Sequence, residues 1–142
     1  MAILNTPETT DRDTRKGAVL VVDDDLDIRE LMRTCLEFEG FDVITASDGL
    51  DGLRRYQENR DRVEIVVTDL DMPAMNGSDM IRHIFNITPA MKVIVASGRS
   101  LNAGPDRSTQ TCCIQKPYTA RELTDAVHQM RGLFGRLDSE SM

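Results

Sequence analysis

The chain has 142 residues, with 24 acidic against 17 basic side chains, a formal net charge of −7 and a pI near 4.8. That length suits one domain able to bury a core without disulfide or metal staples. The acidic balance argues against direct nucleic-acid binding, which needs a basic face, and no apolar run approaches the ~18 residues that cross a membrane.

Residues 1–16 have no basic start followed by an apolar stretch, so they are not a secretory signal. They read as a disordered leader before a folded domain over 17–135. Ala18–Val22 is a continuous apolar run bounded by Gly17 and three aspartates, the pattern of a buried strand. Ile28, Leu31, Met32, Cys35 and Leu36 repeat on one helical face, and Gly40 stops that helix. Residues 41–46 form a second strand. Residues 48–59 read as a more polar helix with Leu50, Leu53 and Tyr56, weakened by Gly49 and Gly52. A third strand covers 63–68, and 69–77 is a loop rich in turn residues. Ser78 can cap a helix carrying Ile81, Ile84 and Phe85. Strands follow at 92–96 and 112–115. Thr119 and Glu122 form a capping box for a last helix with Leu123, Ala126, Val127, Met130 and Phe134 on its face. Residues 136–142 read as a short flexible tail.

Strands alternating with helices at this spacing imply an α/β fold of parallel strands with right-handed crossovers. Five strands suit a doubly wound, flavodoxin-like sheet in the order 2-1-3-4-5. Ligands then sit outside the carboxyl ends of strands 1 and 3. One crossover is irregular. Residues 99–111 should hold the fourth helix, but they offer only Leu101 and Ala103 as apolar side chains, interrupted by Gly104 and Pro105. A surface loop with about one helical turn is the expectation there.

Three cysteines, Cys35, Cys112 and Cys113, make a poor disulfide framework. With no C-x-x-C and only His83 and His128 far apart in sequence, zinc is not expected. Buried reduced thiols in a cytoplasmic protein are.

The strand ends carry the chemistry. Asp23, Asp24 and Asp25 follow strand 1, Asp69 and Asp71 follow strand 3, Ser97 follows strand 4, and Lys116 with Pro117 follows strand 5. Clustered carboxylates repel one another unless a cation is present. An all-oxygen site with open positions suits Mg²⁺, which tends to bridge to phosphate. A carboxylate beside it is a plausible nucleophile toward phosphorus, with a hydroxyl and an ammonium to hold phosphoryl oxygens. Each residue also has a plainer role: Asp25 as a helix cap, Ser97 as a turn former, Lys116 as a solvated turn residue.

As a set, the stretches VLVVDDD (19–25), VVTDLDMP (66–73) with Asn76-Gly77, VIVASG (93–98) and QKPY (115–118) resemble the receiver domain of two-component response regulators. The resemblance runs over residues 17–134. It implies that Asp69 accepts a phosphoryl group from a histidine of a sensor kinase or phosphotransfer protein. It implies Mg²⁺ held by Asp24, by Asp23 through water, by Asp69 and by the backbone carbonyl of Asp71. Ser97 and Lys116 would hold the phosphoryl group, with the Lys116–Pro117 bond cis. It also implies a protein that is not an enzyme beyond its own phosphorylation and dephosphorylation, signalling to an unidentified downstream protein. A phosphohydrolase of the haloacid-dehalogenase type is the alternative, since Asp69 and Asp71 fit its Asp-x-Asp motif. Against it, the acidic cluster here comes first in the chain and no cap domain is present.

The chain departs from the receiver pattern in three ways. The segment between Ser97 and Lys116 is short. Cys113 stands where the family often has an aromatic switch residue, and Asp71 and Arg99 flank the path of attacking water, where they would tune the phosphoryl lifetime. A symmetric dimer through the fourth crossover, fifth strand and last helix is therefore not expected. A core ending near Phe134 leaves no room for an effector domain, as in a stand-alone receiver or one cut from a longer chain.

Overall fold

In the computed structural model, the residues described are 17–70, 72, 75–98 and 111–141, with side chains described as far as residue 132. The strands are β1 (Ala18–Val22), β2 (Asp42–Ala46), β3 (Val63–Asp69), β4 (Lys92–Ser97) and β5 (Thr111–Gln115). The helices are α1 (Leu26–Phe38), α2 (Gly49–Glu58), α3 (Gly77–Ile87) and α4 (Ala120–Ser141). The strands form one sheet in the order β2-β1-β3-β4-β5, every pair parallel. This is the order expected from the alternation of elements.

The apolar runs of β1, β3 and β4 do not alternate with polar residues because both faces of these strands are covered. Val19 and Val21 lie in one core layer with Ile65, Val67 and Ile94, beneath Met32 and Leu36 of α1 and Leu123 and Val127 of α4. Leu20 and Val22 lie in the other layer with Val66 and Val95, beneath Tyr56 of α2 and Met80 and Ile84 of α3. α1 and α4 therefore cover one face, and α2 and α3 the other.

Local signals set the helix ends. Asp25 accepts the N–H groups of Asp27 and Ile28 and caps α1, while Gly40 takes a positive φ of 98° just past its end. Thr119 and Glu122 exchange hydrogen bonds of 3.0 and 2.8 Å as a capping box at α4. Asn76, not Ser78, caps α3 by accepting the Asp79 N–H at 2.9 Å. The helix begins two residues earlier than the Ser78 cap implied, because Asn76 offers its side-chain oxygen first.

Other expectations are adjusted. Asp69 and Ser97 are the last residues of β3 and β4 rather than the first beyond them, since the β3–β4 ladder still pairs Asp69 with Ala96. The backbone of α4 continues to Ser141, through the stretch read from sequence as a tail. Its apolar stripe ends at Phe134, but no proline follows to break the hydrogen-bond ladder. The thiols are not fully buried: Cys35 and Cys112 are half-buried and Cys113 is exposed, none in a disulfide. Cys113 and Cys112 fall on opposite faces of the edge strand β5, and only Cys112 packs on the α1–α4 side. The leader at 1–16 and the irregular crossover at 99–110 lie outside the described residues. Among the described residues, no helix is long and apolar enough to cross a membrane.

Candidate functional site

Three aspartates follow β1, and local geometry separates their roles. Asp25 is committed to the α1 cap. Asp23 is fully buried and Asp24 exposed. Asp23 donates its N–H to the Ala46 carbonyl at 3.2 Å and accepts the Asp25 N–H on Oδ1 at 2.9 Å. Because β1 and β3 are neighbours, Asp69 arrives beside this pair at the same edge. One carboxylate oxygen each of Asp23, Asp24 and Asp69 lies within 4.8 Å of the other two.

Lys116 closes the cluster from the far side. It follows β5 and enters a cis bond to Pro117. Its N–H donates to the Ser97 carbonyl at 2.8 Å, tying it to the end of β4. Its ammonium lies 3.0 Å from Asp69 Oδ2 and 3.6 Å from Asp23 Oδ2. Ser97 is buried at the same edge. The tertiary structure thus brings together Asp23, Asp24, Asp69, Ser97 and Lys116. Asp71 and Arg99 lie outside the described residues.

Charge and burial oppose each other here. Burial pushes the Asp23 carboxyl above its ordinary range, and the charges of Asp69 and Asp24 add to this, against the Asp25 N–H and the Lys116 charge. Burial alone would depress the Lys116 ammonium; its bond to Asp69 and the nearby charges of Asp23 and Asp69 outweigh that and hold it above its usual range. Asp23 Oδ2 is buried with no hydrogen-bond partner among the described residues. A buried, unbonded carboxylate oxygen beside two further carboxylates is what a hard cation compensates, so the donor set fits Mg²⁺.

The backbone around Asp69 is held by groups the sequence reading passed over. The Thr68 hydroxyl donates to the Asp69 carbonyl at 2.8 Å. Gly77 N–H donates to the Leu70 carbonyl at 2.8 Å, closing the loop after β3. A Cβ on Gly77 would stand 2.2 Å from the Asp69 carbonyl oxygen, so only glycine fits. The loop is also tied to α2, whose Gly49 N–H donates to the Met75 carbonyl at 3.1 Å. The only sequence signal for this clamp was the Asn76-Gly77 pair. Past the proline, Tyr118 packs on the α1–α4 core, and its buried hydroxyl has no hydrogen-bond partner among the described residues. Burial, followed by the charges of Asp23 and Asp69, pushes that hydroxyl well above the ordinary phenol range. Cys113 pairs in register with Val95 of β4, two residues before Ser97.

Comparison with known proteins gives one consistent answer. The family model of the response regulator receiver domain matches residues 19–128. A transcriptional regulatory protein CpxR homolog from Haemophilus influenzae is 36% identical over 109 residues, covering 74% of this chain and 46% of its own length. The response regulator receiver protein CpdR of Brucella abortus is 28% identical, over 79% of this chain and 94% of its own. The crystal structure of a response regulator receiver domain protein from Clostridium thermocellum superposes with a TM-score of 0.73 at 32% identity, covering 85% of this chain and 98% of that one. The chain thus spans under half the length of the Haemophilus relative. The haloacid-dehalogenase alternative finds no support: family model and sheet both match receivers, and the acidic pair follows the first strand.

Proposed function

The chain belongs to the response regulator receiver family, and on that premise we propose that Asp69 is its phosphoacceptor, charged from a phosphohistidine of a sensor histidine kinase or histidine phosphotransfer protein. Receiver domains of two-component systems are signalling domains, and the family generally binds Mg²⁺ at an acidic pocket. The observation that carries the assignment is the placement of Asp69. It ends β3, buried, 3.0 Å from the Lys116 ammonium and within 4.8 Å of oxygens from Asp23 and Asp24.

In the transfer step an Asp69 carboxylate oxygen forms a bond to phosphorus as the N–P bond of the donor breaks. The donor imidazole keeps the bonding pair and takes up a proton. Lys116, already paired with Asp69, is positioned to follow the charge as it moves onto the phosphoryl oxygens. The Ser97 hydroxyl, buried one residue past the Asp69–Ala96 pairing, is a second group of the right type to hold them. Asp23 and Asp24, with the Asp71 carbonyl by resemblance, would hold Mg²⁺ together with Asp69. Bound there, the cation offsets the negative charge of acceptor and phosphoryl group. Hydrolysis of the acyl phosphate returns Asp69 and releases inorganic phosphate. The chain turns over no separate substrate on this reading, and its output is contact with a downstream protein, in the cytoplasm, without direct nucleic-acid or membrane binding.

The test is incubation with acetyl phosphate or phosphoramidate plus Mg²⁺, followed by intact mass. One added phosphoryl group is expected, absent from Asp69→Ala and absent without Mg²⁺. Phosphorylation retained in Asp69→Ala would sink the assignment.

A further inference from the structure

We propose that Arg29 is a positioning residue for the acidic pair, setting the Mg²⁺ site through the backbone of Asp23; this rests on the metal site described under Proposed function. Arg29 lies in the first turns of α1, half-buried, and its Nη1 donates to the Asp23 carbonyl at 2.8 Å. Asp23 is thereby held at every polar group but one. Its N–H goes to Ala46, its carbonyl to Arg29, and its Oδ1 receives the Asp25 N–H. Oδ2, with no hydrogen bond among the described residues, is left facing Lys116 at 3.6 Å.

The carbonyl that Arg29 holds belongs to the peptide joining Asp23 to Asp24. Fixing that carbonyl fixes the peptide plane, and with it the N and Cα atoms from which the Asp24 side chain departs. Asp24 is exposed, and among the described residues no hydrogen bond orients its carboxylate; the anchored peptide helps to hold it within 4.8 Å of the oxygens of Asp23 and Asp69. The helix cap makes the anchor rigid: Asp25 closes α1 at 2.9 Å to Asp27, and Arg29 N–H returns to the Asp25 carbonyl at 3.0 Å. Arg29 thus ties the strand-to-helix turn to the helix that follows it.

Charge and positioning predict opposite signs. A guanidinium near an acidic cluster repels a second cation, so removing it for charge reasons alone tightens Mg²⁺ binding. Removing a group that orients metal ligands weakens binding, typically about 10-fold or more. The test compares Arg29→Ala, Arg29→Met and Arg29→Lys in the full chain, with Mg²⁺ affinity measured by titration calorimetry. Amide hydrogen exchange at Asp25 is followed in the metal-free protein. Lysine keeps a long side chain with a donor and should stay within about threefold of the unsubstituted protein; Ala and Met should weaken Mg²⁺ about 10-fold. Both should also speed exchange at Asp25, whose N–H bonds the Asp23 carboxylate. Equal or tighter Mg²⁺ binding in Arg29→Ala overturns the proposal, as does unchanged exchange at Asp25. A failure of the unsubstituted chain to bind Mg²⁺ would count instead against the metal site itself, and the exchange measurement would still judge Arg29.

Discussion

Lys116 Nζ lies 3.0 Å from Asp69 Oδ2, a pairing that spans 47 positions of the chain. It exists because β3 and β5 end at the same edge of the sheet, with β4 between them. The ammonium pairs with the Asp69 carboxylate, and under the proposed function it stands where phosphoryl charge would develop. Replacing Lys116 with Met should lower the rate of phosphorylation by acetyl phosphate about 100-fold or more, the usual cost of losing one preorganised charge-stabilising donor. Time-resolved intact mass checks this; a rate within a few-fold of the unsubstituted chain would remove Lys116 from the site.

Asp23 carries a cost in the metal-free protein. Its carboxyl is raised by burial above its ordinary value of 3.8, so the folded state binds its proton more tightly than the unfolded state does. The metal-free fold therefore gains stability from this group as pH falls through the raised value toward 3.8. At pH 7 the charge is a burden, and Asp23→Asn should stabilise the metal-free chain by about 1–2 kcal/mol. It should abolish Mg²⁺ binding at the same time. Urea unfolding with a chelator, at pH 7 and at pH 4.5, checks the sign: the advantage of Asn should shrink at the lower pH.

Gly77 sits where a Cβ would stand 2.2 Å from the Asp69 carbonyl oxygen. Gly77→Ala must displace either the end of β3 or the start of α3. A loss of about 1–3 kcal/mol is expected, as for other overpacked sites, together with slower phosphorylation because the acceptor moves. Thermal unfolding and intact mass on the same sample separate the two effects. An alanine variant as stable and as readily phosphorylated as the original would show that the loop yields freely.

Tyr118 buries a hydroxyl that has no hydrogen-bond partner among the described residues. An unsatisfied buried hydroxyl costs about 1–3 kcal/mol. Tyr118→Phe keeps the ring in the α1–α4 core and removes that cost, so the melting temperature should rise. A fall would mean that the hydroxyl is satisfied and contributes to the fold.

Much of the fold could be read from the chain because the signals are local. The unalternating runs of β1, β3 and β4 announce strands covered on both faces, and the α1 stripe announces a helix covered on one. Asp25, Thr119 and Glu122 act as caps within a few residues of themselves. Asp23, Asp24, Asp69, Ser97 and Lys116 could be named because strand ends in a parallel sheet share an edge, whatever their separation in sequence. Asn76 and Ser78 are both residue types that can cap a helix, and only the backbone decides that Asn76 caps α3.

What the sequence determined by itself is therefore the element order, the parallel sheet and the list of residues at its carboxyl edge, since periodicity and turn chemistry act over a few residues. What only the tertiary structure decided is how those residues meet. It set the distances from Lys116 to Asp69 and Asp23, the burial that raises the Asp23 carboxyl, the contact of Arg29 with the Asp23 carbonyl, and the closeness of Gly77 to Asp69. These depend on distances and solvent exclusion between segments far apart in the chain, which appear only when the sheet and its helices pack.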